Sequence, residues 1–374
     1  MSKDELISET ISFLRFPLII GVVFIHFDLV KCHLLPQEAV YPNWFYFIIT
    51  FFSNVLPRAA VPLFFFFSGF LFFYHTDFSI GIYKQKLLKR TKTLLIPYII
   101  WNIIAVLFLL VYKIPGLENI FPDAAKIEIQ CSPVRILNIF FDRGNCIFIR
   151  NTSDTNLPYP LNVPMWYIRE LFAMVLLAPF IFQIIKKIGG WFVLMLGVTW
   201  SILGPLFVPE GGYFSSLFCR AAFFFSWGAY YSIDNKNFIE EMQKPKWVPL
   251  LFLPFVIIDA LTRNHIFNAY FHNITIIIGT LTFVFIAAHL LVNERVKVNK
   301  MLTQCSFFVY AFHNLILVSI GKALLSIFDI YNNVYAMLLF YFMVPAITIM
   351  ICMAIYLALK RFFPVFSKIL TGGR

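Results

Sequence analysis

Long apolar runs alternate with short polar stretches along the whole chain. Ten are long enough to form bilayer-crossing helices, at about 11–30, 58–74, 94–112, 164–184, 191–208, 213–232, 247–261, 271–292, 307–328 and 335–359. The runs are continuous, whereas a membrane β-barrel alternates apolar and polar residues in segments of about ten. The pattern therefore predicts an all-α, polytopic membrane helix bundle. An aromatic stretch, Trp44 to Val55, precedes the second run. It reads either as a short interfacial helix or as part of a longer, broken span.

Composition agrees. Of 374 residues, 60% are hydrophobic and only 13% charged, and 47 are Phe, more apolar surface than a soluble domain of this length can cover. The net charge of +11 raises a nucleic-acid partner. Its Lys and Arg are scattered between apolar runs, so they read as topology signals and no nucleic acid is expected. With the N-terminus inside, 18 of the 30 Lys+Arg fall on the cytoplasmic side, densest at Lys84–Lys92, and ten spans return the C-terminus to that side. The acidic-leaning MSKDELISET start, with no small-residue cleavage site after the first run, argues against a cleavable signal peptide. The long segment at about 113–163 is expected outside. It carries Pro115, Pro122, Pro133, Pro158 and Pro160, the polar run Asn151–Asn156, and Cys131 and Cys146, which would pair only in an oxidising space. No repeat or appended soluble domain is visible, so residues 1–374 read as a single integral-membrane domain.

Two polar residues in the first run stand out. Arg15 and His26 lie within ISFLRFPLIIGVVFIHFDLV, where a basic side chain at membrane depth costs roughly 2.5–3.5 kcal/mol and normally faces protein or water. Eleven residues at about 100° each return to within about 20° of the start, so both share one helix face. At 1.5 Å per residue from a cytoplasmic edge near Ile11, Arg15 is expected about 6 Å deep and His26 about 22 Å deep in a core of about 30 Å. A fixed cation and a titratable imidazole so arranged suit an anionic ligand head near Arg15 and a reactive group near His26. The bland alternative is a snorkelling Arg and a His bonded to a neighbouring helix.

Other constellations are weaker alone. Arg58 opens Arg58-Ala-Ala-Val-Pro-Leu-Phe-Phe-Phe-Phe-Ser-Gly-Phe70, in which Pro62 interrupts the helix ladder and Ser68-Gly69 lets another backbone come close. Lys86, Lys89, Arg90 and Lys92 form a cytoplasmic basic patch suited to a phosphorylated ligand, to anionic lipid, or simply to a topology flank. Trp166 and Tyr167 are interface anchors, and Arg169 and Glu170 beyond them should face the bundle or each other's partners. Arg220, His289 and His313 are further intramembrane polar residues, each singly better read as packing. There is no Gly-rich phosphate loop, GxSxG or HExxH, the six Cys form no CxxC, and the histidines lack metal-ligand spacing, so no metal is expected.

Taken in order, these segments resemble the acyltransferase family 3 membrane proteins, bacterial enzymes that O-acylate surface sugars. Arg15-x10-His26 resembles the family's first-span signature. Arg58-x-x-Val-Pro-Leu-Phe-Phe with Ser68-Gly69-Phe70 is similar to its second-span motif, and Arg90 through Pro97-Tyr98 to its basic cytoplasmic loop. Pro164-x-Trp166-Tyr-Ile-Arg-Glu-Leu171, Phe223-Phe-Phe-x-Trp-Gly228 and Phe308-Val-Tyr310-Ala-Phe-His313 resemble later segments. The likeness covers about residues 10–315 and departs from the pattern where the loop's usual second Arg is Thr93, beside Lys92.

The resemblance implies transfer of an acyl group, most often acetyl from acetyl-CoA, to a hydroxyl of a cell-surface or lipid-linked glycan at the bacterial cytoplasmic (inner) membrane. It implies the stand-alone type, without a fused esterase-like domain. Within that reading His26 is the base, Arg15, Arg90 and Lys92 bind the donor, and Arg58, Ser68, Trp166, Arg169, Glu170, Arg220 and His313 are candidates for acceptor or oxyanion contacts. The rivals are a transporter or lipid-linked-glycan flippase, for which no repeat symmetry is visible, and a structural subunit, which leaves the Arg15/His26 spacing unexplained.

Overall fold

The computed structural model describes residues 2–36, 40–111, 114, 128–149, 159–207 and 217–373. Each of the ten apolar runs is helical there. Seven stretches are long and apolar enough to cross a bilayer: Lys3–Ile25, Asn43–Phe73, Ile80–Val111, Val163–Ile188, Asn268–Val292, Lys300–Ile327 and Val334–Phe362. The other three runs form shorter helical pieces, Gly190–Leu206, Cys219–Ile233 and Val248–Leu261. The chain is a polytopic, all-α membrane protein.

The described chain divides into two compact units. Unit 1 comprises Met1–Asp28, Pro42–Leu88 and Ala173–Ser306, and unit 2 comprises Leu29–Tyr41, Lys89–Phe172 and Phe307–Arg374.

Unit 1 starts with α1 (Lys3–Ile25), whose first turn is closed by a capping box between Ser2 and Glu5. The helix ends at Ile25, with His26 as its C-cap. The expected first span of 11–30 is thus shortened at its outer end, and Phe27–Leu29 are buried in irregular backbone.

The aromatic stretch before the second span belongs to the longer, broken helix: α2 (Asn43–Ile49), a π turn (Thr50–Val55), a 3-10 turn (Leu56–Ala59) and α3 (Ala60–Phe73). Pro62 falls in the first turn of α3, where no intrahelical N–H is needed. Three π turns are described at full length, Thr50–Val55, Thr91–Leu95 and Thr199–Leu203, and each ends two residues before a proline: Pro57, Pro97 and Pro205. A proline withholds an N–H from the carbonyl four residues back and crowds it, and a locally widened turn relieves both.

After α4 (Ile80–Arg90), which runs through that second π turn into α5 (Ile96–Val111), the chain forms α6 (Pro133–Phe141) and a two-residue antiparallel pair, β1 (Glu128–Ile129) with β2 (Phe148–Ile149). These fall in the segment expected as an external loop. Its Pro115, Pro122, Pro158 and Asn151–Asn156 lie outside the described residues. Cys131 and Cys146 are not joined by a disulfide, and the buried Cys146 thiol donates to the Arg143 carbonyl.

The remaining helices are α7 (Trp166–Ile188), α8 (Gly190–Val198), α9 (Gly204–Phe207), α10 (Cys219–Ile233), α11 (Phe238–Gln243), α12 (Val248–Leu261), α13 (Asn268–Val292), α14 (Lys300–Ile327), α15 (Val334–Phe362) and α16 (Pro364–Leu370).

In unit 1, α3 and α10 cross at their backbones. A Cβ on Gly69 would overlap the Phe225 carbonyl oxygen, and one on Gly228 would overlap that of Phe66. Paired glycines allow such an approach because lipid supplies no hydrophobic drive and helices must gain from close packing. Phe66 then meets Trp227 and Phe238 edge-on around the crossing. In unit 2, Trp101 of α5 is fully buried against Phe308 and Phe312 of α14, and Phe308 packs on Tyr356 of α15.

Candidate active site

Unit 1 holds Arg15, His26, Arg58, Ser68 and Arg220. Arg15 is half-buried in α1, and the helix runs unbroken from it to Ile25, past Pro17. His26 is half-buried at the C-cap, its backbone N–H donating to Val23 at 3.1 Å. The eleven-residue spacing sets the two about 16 Å apart along the axis on one face. A cavity of about 290 Å³ also lies along α1, lined by apolar residues including Leu18, Gly21, Phe24, Phe52 and Phe283. By helical rotation Gly21 and Phe24 point well away from the Arg15/His26 face.

The backbone just after His26 is pinned by the π turn. Ser53 Oγ donates to the Phe27 carbonyl at 3.1 Å, and Asn54 Nδ2 donates to Asp28 Oδ2 at 2.7 Å. In turn, Asn54 Oδ1 accepts from Arg58 Nη2 at 3.2 Å. The buried Asp28 carboxylate, Asn54 and the Arg58 guanidinium thus form one chain that starts two residues beyond His26. Asp28 and Asn54 escaped the sequence reading. The usable signal was an acid inside the same apolar run as Arg15, the same anomaly with opposite sign.

Ser68 is half-buried on α3 beside the Gly69 crossing, where it serves close packing. Arg220, in the first turn of α10, lies over the buried Trp200 ring, 5.9 Å from guanidinium carbon to ring centroid.

Unit 1 carries a second polar group the sequence reading missed. The buried Asp259 carboxylate of α12 meets His272 Nδ1 of α13 at 2.7 Å and accepts from Asn268 Nδ2 at 2.9 Å. Arg263 lies 3.8 Å from Asp259 and donates to Asn268 Oδ1 at 3.0 Å. A buried acid with a cation and two further hydrogen-bonding partners is satisfied where it stands. These residues staple the α12–α13 hairpin.

Unit 2 holds Arg90, Lys92, Trp166, Arg169, Glu170 and His313. Arg90 ends α4 half-buried, and Lys92 is exposed on the π turn that follows. Trp166 opens α7 and is buried. Arg169 and Glu170 pair with each other: Nε donates to Oε1 at 2.8 Å, with the Glu170 side chain only 1% exposed, and Arg169 Nη1 donates to the Phe141 carbonyl at 3.0 Å.

His313 of α14 is fully buried, with Nδ1 2.9 Å from the Val309 carbonyl. A carbonyl only accepts, so Nδ1 carries a proton. Nearby, Asn162 Nδ2 donates to the Ala311 carbonyl at 2.9 Å, its N–H donates to Asn102 Oδ1 at 3.0 Å, and Tyr310 donates to the Pro164 carbonyl. These bonds fix α14 against the start of α7. His289, in the last turn of α13, is stacked on Phe285. Among the described residues, no group of three or more His, Cys, Asp or Glu side chains is placed to hold a metal ion.

The first span of this membrane helix bundle thus carries a half-buried Arg and a helix-capping His. The acyltransferase-domain family model matches residues 9–357, and the chain belongs to that family. It is 27% identical over 248 residues to the succinoglycan biosynthesis protein ExoH of Rhizobium meliloti, an alignment covering 63% of this chain and 56% of the relative. The chain thus spans little more than half the length of that curated relative. No solved structure matches it.

Proposed function

We propose that the chain is an integral-membrane O-acyltransferase of the bacterial cytoplasmic membrane, moving an acyl group, acetyl in the simplest case, from acyl-CoA to a hydroxyl of a surface or lipid-linked glycan. The observation carrying this reading is at α1: Arg15 lies within the helix, His26 caps its end eleven residues on, and the chain just after His26 is held by Ser53 and Asn54.

An imidazole ordinarily titrates near pH 6.5, which suits a general base at neutral pH. In the proposed reaction His26 takes the proton of the acceptor hydroxyl as its oxygen attacks the thioester carbonyl. The tetrahedral oxyanion that forms needs a fixed positive charge, and Arg58, held by Asn54, is assigned that role. Collapse breaks the carbon–sulfur bond, and the departing CoA thiolate takes the proton back from the imidazolium. Arg15 is assigned to a donor phosphate, where a planar guanidinium offers paired donors. Arg90 and Lys92 are the unit 2 cations assigned to the same chemistry. Support for a glycan acceptor comes from the similarity to ExoH, a succinoglycan biosynthesis protein.

The test is transfer of label from radiolabelled acetyl-CoA into glycan in membranes carrying wild-type or His26→Ala protein. Net movement of an unmodified glycan across vesicles, with no labelling, would instead support a flippase.

A further inference from the structure

The segment after α15 doubles back onto the basic turn ahead of α5. Helix α15 ends at Phe362, Pro364 opens α16, and α16 buries Ser367 and Leu370 while Phe363, Val365, Phe366 and Ile369 stay exposed. Trp101 Nε1 donates to the Leu370 carbonyl at 3.0 Å. Beyond it, Gly372 sits on the backbone of Thr93, where a Cβ would overlap the Thr93 carbonyl oxygen. Gly372 and Gly373 have φ of 66° and 75°, and Gly373 N–H donates to the Lys368 carbonyl at 2.8 Å. That is a glycine helix stop, so Gly372 is required by both its backbone angle and its neighbour.

This docking has an electrostatic consequence. Thr93 lies in the turn that carries Lys89, Arg90 and Lys92, and α16 with the end of α15 carries Lys360, Arg361 and Lys368. The Lys368 side chain folds back toward Gly373, its Cε 3.7 Å from where a Cβ would stand there. Neither Ile80–Val111 nor 334–373 contains a single Asp or Glu. A topology flank needs only scattered cations. The Gly372–Thr93 contact brings the chain end that carries Lys360, Arg361 and Lys368 to the turn beside Lys89, Arg90 and Lys92, and cations gathered with no acid in either stretch favour an anion.

We propose that α16 completes a two-part phosphate site with the Lys89–Lys92 turn, Gly372 on Thr93 acting as the latch and Lys368 as an added phosphate contact, and that its ligand is the diphosphate of coenzyme A. The proposal rests on the assignment of Arg90 and Lys92 to the donor. Gly372 is a positioning residue, and Lys368 sets donor affinity.

The experiment is coenzyme A binding to purified protein in neutral phosphatidylcholine nanodiscs, for wild type, Lys368→Gln, Gly372→Val, Arg90→Gln and, as a control outside these two stretches, Lys187→Gln. Losing one charged phosphate contact weakens binding about fivefold, so Lys368→Gln and Gly372→Val are expected to raise Kd by that factor or more, while Lys187→Gln leaves it unchanged. Monodisperse elution and an unchanged melting temperature for Lys368→Gln separate an affinity effect from loss of fold. Normal binding by Lys368→Gln and Gly372→Val, with weakened binding by Arg90→Gln, overturns the proposal and leaves the donor assignment standing. Normal binding by Arg90→Gln as well overturns both. A Lys368→Gln effect confined to association with phosphatidylglycerol in anionic nanodiscs assigns the site to lipid headgroups and also overturns it.

Discussion

Asn54 holds the Asp28 carboxylate at 2.7 Å, two residues beyond His26, while its own amide oxygen accepts from Arg58. One side chain therefore ties the backbone after the imidazole to the nearest guanidinium of the second helical segment. Asn54→Ala removes both bonds at once. A buried group stripped of a partner costs about 1–3 kcal/mol. The variant is expected to unfold at lower temperature in detergent and to lose at least about tenfold in acyl transfer, since small misplacements of reacting groups are costly. Wild-type turnover in Asn54→Ala would remove the positioning role.

At the α3–α10 crossing the obstacle is backbone, which cannot move aside as a flexible side chain can. Gly69→Ala and Gly228→Ala are each expected to destabilise by about 3 kcal/mol or more, at or beyond the upper end of ordinary overpacking. The readout is the yield of monodisperse protein and its melting temperature. Two well-behaved alanine variants would mean that the helices do not approach as described.

The Arg169–Glu170 pair should show strong coupling. Arg169→Met leaves a carboxylate 1% exposed without its nearest cation, a loss of about 3–5 kcal/mol for a buried pair. Replacing both residues with Met is expected to cost less than Arg169→Met alone. A double-mutant cycle on thermal stability checks this, and purely additive losses would contradict it.

Just beyond the Asn43–Phe73 stretch, Tyr74 donates at 2.5 Å to Asp4 Oδ1, in the exposed first turn of α1. Its hydroxyl is pushed up from 10.0 to about 12, first by burial and then by the bond to Asp4. A raised folded value means the bond's stabilisation is complete below pH 10 and disappears as pH climbs through about 12. Tyr74→Phe should therefore lower the melting temperature by the same small amount at pH 6 and pH 9. A gap that closes between those values would contradict the assignment.

The helices were legible because hydropathy in a membrane protein is a strong, one-dimensional signal, and each of the ten apolar runs forms helix. Where a helix stops was less so. His26 sits in an apolar run that reads as span up to Val30, yet α1 ends at Ile25 because Ser53 and Asn54 take over the backbone and side chain just beyond. That bonding is tertiary and leaves no local mark. The π turns left only a proline two residues downstream, and Pro17, Pro179 and Pro345 sit inside α-helices without one, so the mark is ambiguous. Arg169 and Glu170 were legible as residues turned from lipid, because charges at membrane depth have few alternatives, whereas their bond to each other was not. Asp28 and Asp259 were as anomalous as Arg15. Each sits near the end of its apolar run, where an acid also fits a loop edge, so its mark in the sequence was ambiguous.

The most direct measurement is transfer of radiolabelled acetyl from acetyl-CoA to the native glycan, in membranes from cells expressing wild-type or His26→Ala protein at matched folded levels. The account predicts label in the glycan fraction for wild type and near-complete loss for His26→Ala. Equal labelling by the two proteins would contradict His26 as the base.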